Sequence, residues 1–123
     1  MSPRVLVVDE DDVVRRTIAA ALARSGCDVA TANAAASALR IAEVATPDIV
    51  VVADNMPSVV RSLKQRLGSA IYVAVVTGED DATTREICRN AGADSVLIKP
   101  ISQNELRRVL TEAAIALEAT TAA

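Results

Sequence analysis

The stretch Pro47-Asp48-Ile49-Val50-Val51-Val52-Ala53-Asp54-Asn55-Met56-Pro57 decides how the rest of the chain is read. From Ile49 to Ala53 the run is apolar without a break. A strand with one wet face alternates apolar and polar residues, whereas an unbroken run marks a strand covered on both faces. The run stops at a single carboxylate, Asp54, followed by Asn55 and Pro57, residue types that end strands and begin turns. Covering both faces takes helices on both sides, so the flanking sequence is expected to supply them.

The same cycle recurs along the chain. Arg4–Val8 is a second continuous apolar run, followed by Val13, Val14, Ile18, Ala21 and Leu22 at helical spacing, with Ser25-Gly26 as the stop. Asp28–Thr31 is a weaker strand and Ala34–Ala45 a helix on Ala35, Ala38, Leu39 and Ala42, with Val44 at its end. After Ile49–Ala53, a short helix is predicted within Val59–Leu67, ending at Gly68. Ile71–Val76 is the fourth strand, Ala82–Asn90 the fourth helix, and Ser95–Ile98 the fifth strand. Ser102 with Glu105 three residues later forms a capping-box pattern before a last helix on Leu106, Val109, Leu110, Ala113 and Leu117. The expected fold is therefore α/β, a (βα)5 doubly wound parallel sheet over residues 1–118, with 119–123 as a tail or the start of a linker.

Composition narrows the function. The chain has 123 residues, enough for one core, and that core must be Val, Leu, Ile and Ala, because there is no Phe or Trp and one Tyr, Tyr72. A net charge of −3 without a basic run argues against direct nucleic-acid binding. No apolar run is long enough to cross a membrane. Cys27 and Cys88 fit no metal or redox spacing and read as free thiols of a cytoplasmic protein. The absence of His removes its usual metal and triad chemistry.

Sites in such sheets lie beyond the carboxyl ends of the strands. There the first strand delivers Asp9 and Glu10, the third Asp54 and Asn55, the fourth Thr77-Gly78, and the fifth Lys99-Pro100. Adjacent acids suit a hard divalent cation, and a Lys with a Thr hydroxyl suits phosphoryl oxygens. Taken singly, each has a plainer explanation: Asp11 and Asp12 as helix-start acids, Thr77 as a turn residue, Lys99 as a surface lysine. No Gly-rich phosphate loop follows the first strand.

The segments VLVVDED (5–11), PDIVVVADNMP (47–57), VVTG (75–78) and AGADSVLIKP (91–100) together resemble the motifs of response-regulator receiver domains, the CheY-like phosphoacceptors of two-component and phosphorelay signalling. The resemblance runs from Val5 to about Leu110 and includes the 22-residue step from Thr77 to Lys99. It implies a flavodoxin-like sheet of order 2-1-3-4-5, no enzymatic activity, and Mg²⁺ held by Asp9, Glu10 and the carbonyl of Asn55. It also implies phosphoryl contacts from Thr77 and Lys99, and a Pro100 of the kind that often follows a cis peptide. The implied partners are a sensor histidine kinase and an output domain or regulator, as in transcription regulation. A homodimer through the fourth helix, fifth strand and fifth helix is also implied.

Three positions depart from that pattern. The acceptor Asp of the family lies four residues before the second proline and six after the first; both counts give Ala53. Asp54 is one residue on, which on a regular strand turns it to the opposite face unless a bulge shifts the strand end. The span from Ala53 to Thr77 is 24 residues, several fewer than is usual, so the third helix and its loop are expected to be short. The fifth-strand aromatic that moves with the Thr in the family is replaced by Val96.

The preferred expectation is a pseudo-receiver with a degenerate acceptor position at Ala53, Mg²⁺ binding that is weak at most, and a rim fixed by Lys99 pairing with Asp9 or Glu10. The alternative is a phosphorylatable receiver using Asp54 through a shifted strand end. An engineered Ala53 is compatible with the retained Asp9, Glu10, Thr77 and Lys99, although the short loop and Val96 favour natural divergence. A metal-dependent hydrolase lacks a positioned nucleophile and base, and a flavin carrier lacks an aromatic to cover the ring.

Overall fold

The computed structural model describes residues 2–122, with side chains through residue 119. The elements alternate strictly: β1 (Arg4–Val8), α1 (Asp12–Arg24), β2 (Asp28–Ala32), α2 (Ala35–Val44), β3 (Ile49–Ala53), α3 (Pro57–Leu67), β4 (Tyr72–Thr77), α4 (Ala82–Ala91), β5 (Ser95–Ile98) and α5 (Gln103–Ala122). The five strands form one parallel sheet of order β2-β1-β3-β4-β5, the doubly wound arrangement expected from the apolar runs.

Strand alternation divides the core. Leu6, Val8, Val50, Val52, Val73 and Val75 face α2, α3 and α4. Val5, Val7, Ile49, Val51, Ala74, Val76 and Leu97 face α1 and α5. Every residue of β3 and β4 is buried, which is why β3 lacks polar residues and those of β4, Tyr72 and Thr77, stand only at its ends. Among the described residues no helix is long and apolar enough to cross a membrane.

Local chemistry explains the helix ends. Asp11 caps α1, accepting from the N–H groups of Val13 and Val14 at 2.9 and 3.1 Å. Asp12, in the first turn, pairs with Arg15 at 2.5 Å. Gly26, with φ +88°, follows the C-cap Ser25 as expected. Ser102 accepts from Glu105 N–H at 3.1 Å, but the Glu105 carboxylate turns to the Ser102 hydroxyl at 3.5 Å, so only one arm of the capping box is seen.

Several expectations are corrected. Val13 and Val44 are exposed, at 74% and 84%. The buried stripe of α1 is Ile18, Ala21 and Leu22, with Val14 partly buried against it, and a 100° step carries Val13 off it. The third helix begins at Pro57, two residues earlier than expected, because proline at N1 suits a first turn. At 11 residues α3 matches its neighbours, so the short part is its connection to β3, residues 54–56. β4 is shifted by one residue to Tyr72–Thr77. α5 continues through Ala122, over most of the segment expected to be a tail; residue 123 lies outside the described residues.

Candidate functional site

The carboxyl ends of β1, β3, β4 and β5 form one rim, and backbone bonds carry the ladder one residue past three of these strands. Asp9 N–H donates to the Ala32 carbonyl at 3.1 Å, Asp54 N–H to Val76 at 3.0 Å, and Lys99 N–H to Thr77 at 2.8 Å. The β3–β4 register runs unbroken from Ile49↔Tyr72 to Ala53↔Val76. With no bulge at this strand end, alternation decides which side each residue faces.

By alternation Ala53 falls in step with Ile49 and Val51, which face α1 and α5, although it also borders the crevice lined by Asp54, Ile87 and Cys88. Lys99 shares that face, beside Val13, Val14, Thr17 and Ile18 of α1, with a cis bond joining it to Pro100. Asp9, in step with Val5 and Val7, is buried, and its Oδ1 accepts the Asp11 N–H at 2.9 Å. Asp54 and Thr77 take the other face, where the Thr77 hydroxyl donates to Asp54 Oδ2 at 2.6 Å. Val96 is half-buried against the same α2–α4 cluster.

The rim therefore brings together some expected residues and separates others. By strand alternation Asp9, Ala53 and Lys99 fall on one side and Asp54, Thr77 and Val96 on the other, and Glu10, Asp54 and Asn55 are exposed at the edge. The expected pairing of Lys99 with Asp9 or Glu10 is not formed among the described residues. Lys99 instead borders a groove that Val13, Val14, Thr17 and Ile18 of α1 also line, while Asp9 accepts a local backbone N–H. Asp9 is buried and accepts a backbone N–H, while Glu10 and Asn55 stand at the open edge, so the expected metal donors are not gathered at one exposed point. Among the described residues no group of three or more His, Cys, Asp or Glu side chains gathers.

Two contributors went unnoticed in the sequence. Arg15 Nη1 donates to the Asp9 carbonyl at 3.0 Å, bracing the acidic turn; a cation one turn into the first helix was the available signal. Glu79 N–H donates to the Thr77 hydroxyl at 3.0 Å, a short turn that Thr-Gly signals only weakly. Cys88 of α4 faces the Asp54 side, and burial, assisted by the Asp54 charge, pushes its thiol pKa up.

Comparison with known proteins agrees with this architecture. Residues 5–111 match the family described as the response regulator receiver domain. The transcriptional regulatory protein PrrA of Mycobacterium tuberculosis is 40% identical over 110 residues, covering 85% of this chain and 47% of that protein. The transcriptional regulatory protein AruR of Pseudomonas aeruginosa is 34% identical over 116 residues, covering 86% and 47%. The chain thus spans about half the length of the curated relatives it matches. Among solved structures, chemotaxis protein CheY4 of Vibrio cholerae superposes with a TM-score of 0.84 at 24% identity, over 92% of this chain and 99% of that one. A CheY-like receiver domain protein of Methanospirillum hungatei gives 0.87 at 20%, over 98% and 99%. With its sheet order, four-strand rim and family match in agreement, this chain belongs to the response regulator receiver domain family of two-component systems.

Proposed function

We propose that this chain is a pseudo-receiver: it takes no phosphoryl group at the usual strand end and acts through protein contacts. The observation that carries this reading is the unbroken β3–β4 ladder, continued by the Asp54 N–H to the Val76 carbonyl, which leaves a methyl group at position 53. A methyl has neither the nucleophilic oxygen nor the metal-binding lone pairs of a carboxylate. Treatment with acetyl phosphate and Mg²⁺, followed by intact-mass and peptide mass spectrometry, is expected to give no labelled aspartate at the rim. A stoichiometric acyl-phosphate there would sink the proposal.

A second reading is favoured by one observation, the bond between Asp54 and Thr77, since Thr77 matches the phosphoryl-contacting hydroxyl of the family. In that reading Asp54 is the acceptor, and Asp54→Asn abolishes a label that wild type acquires while leaving the fold intact.

The remaining donors, Asp9, Glu10 and the Asn55 carbonyl, support weak Mg²⁺ binding at most, to be measured by calorimetric titration. The partners this reading implies are a histidine kinase and an output domain, with no direct nucleic-acid contact, no membrane contact and no catalysis. The family resemblance also implies self-association through the α4–β5–α5 face, which sedimentation would detect. The two free thiols fit a reducing, cytoplasmic setting.

A further inference from the structure

Thr77 is fully buried, and its hydroxyl has both of its roles filled on one side of the sheet. It donates to Asp54 Oδ2 at 2.6 Å and accepts the Glu79 N–H at 3.0 Å. A hydroxyl carries one proton, so while Asp54 accepts it no oxygen on the Ala53 and Lys99 side can. The separation is that of a short, strong bond to a carboxylate. Asp54 is itself anchored through its N–H to Val76, so the acceptor is fixed at its backbone. The bonds run without a gap from the end of β3, through the end of β4, into the connection that leads to α4. Asp54, Ile87 and Cys88, with Ala53 at its border, line one narrow crevice there, which joins α4 to the same group.

We propose that Asp54 is a positioning residue that captures the Thr77 hydroxyl on the α3/α4 face and holds the Gly78–Asp81 connection in one conformation. A group at position 53 is then not reported by Thr77. This last clause rests on the reading of Ala53 as the acceptor position; the capture stands on the bonds alone.

NMR on the full chain tests both parts. In Asp54→Ala, hydrogen exchange at the Glu79 N–H is expected to accelerate about tenfold or more, the scale of one hydrogen bond to a charged group. Thr77→Val should match it, Thr77→Ser should restore slow exchange, and the double variant should exchange no faster than either single one. Unchanged exchange at Glu79 in Asp54→Ala overturns the capture, provided that core amides of β1 and β3 keep their protection. In a second arm, Ala53→Asp is exposed to beryllofluoride and Mg²⁺ as a phosphoryl mimic. Shift changes should stay with Asp9, Asn55 and Lys99 while Asp54 is present, and reach Thr77–Asp81 only when Asp54→Ala is added. Equal spread in both variants overturns the proposal. If neither variant binds the mimic, the acceptor assignment of position 53 fails instead, and the exchange arm alone decides the capture.

Discussion

The Lys64 ammonium lies 2.7 Å from Oδ2 of Asp94, joining α3 to the residue that precedes β5. Both partners also bond to the backbone: Lys64 donates to the Ile71 carbonyl at 3.0 Å, and the same Asp94 oxygen accepts the Val73 N–H at 2.7 Å. Asp94→Ala thus strands a buried strand amide as well as a half-shielded cation. The expected cost is about 1–3 kcal/mol in urea unfolding. Glu43→Ala, which removes an exposed pair with Arg66, should cost less than about 1 kcal/mol. Asp94→Asn keeps an acceptor and should recover part of the loss. Equal costs at positions 43 and 94 would contradict the assignment of Asp94 as a strand partner.

Gly92 ends α4 with φ +116°, a conformation that L side chains rarely adopt, and a Cβ there would stand 3.0 Å from Lys64 Cγ. Gly92→Ala is expected to destabilise by more than about 1 kcal/mol, since both the backbone and the Lys64 stem oppose it. Gly78, where a Cβ would meet nothing within 4 Å, is the control. A thermal midpoint for Gly92→Ala no lower than that of Gly78→Ala would show the prediction wrong.

Burial pushes the pKa of both thiols up, and at Cys88 the Asp54 charge adds to the effect. The thiolate is the reactive form, so alkylation of both residues at neutral pH should be slow in the folded chain and fast in denaturant. Asp54→Ala should speed reaction at Cys88 and leave Cys27 unchanged, as read by peptide mass mapping. A change at both cysteines would point to general loosening instead.

The Asp81 carboxyl is held below 3.8 by the backbone N–H of Thr84 and then by its hydroxyl, at 2.7 and 3.1 Å. Asp12 is held below the same value by its hydrogen bond to Arg15 and that residue's charge. A carboxyl whose folded-state pKa lies below its unfolded value contributes stability that is complete above the unfolded value. That stability is lost as pH falls through the folded value. Urea midpoints should therefore be level from neutral pH to about pH 5 and decline below it. Asp81→Asn should soften the decline, and a profile parallel to wild type would remove Asp81 from the explanation.

The strands were legible because burial on both faces leaves little room for polar residues, so Ile49–Ala53 and Val5–Val8 announce themselves. The proposal that Ala53 holds the acceptor position rests on counting from two prolines. The partner of Thr77 could not, because it depends on β3–β4 register, which sets Asp54 opposite Thr77 only once the strands are aligned. Two neighbouring valines, Val13 and Val14, gave no hint of which would be buried. For Lys99, charge alone suggests Asp9 as the partner, whereas the residue borders a groove beside α1 and forms no ion pair with Asp9 among the described residues.

The uninterrupted ladder at the end of β3 also changes what adjacency means in this molecule. Ala53 and Asp54 are covalent neighbours and border the same narrow crevice beside α4, yet strand alternation turns their side chains to opposite faces of the sheet. Ala53 stays in step with Ile49 and Val51, whereas the Asp54 carboxylate engages Thr77. Moving a carboxylate one step along this strand therefore does not shift a reactive group by a few ångströms. It hands that group to a different set of helices, and so to a different set of possible listeners.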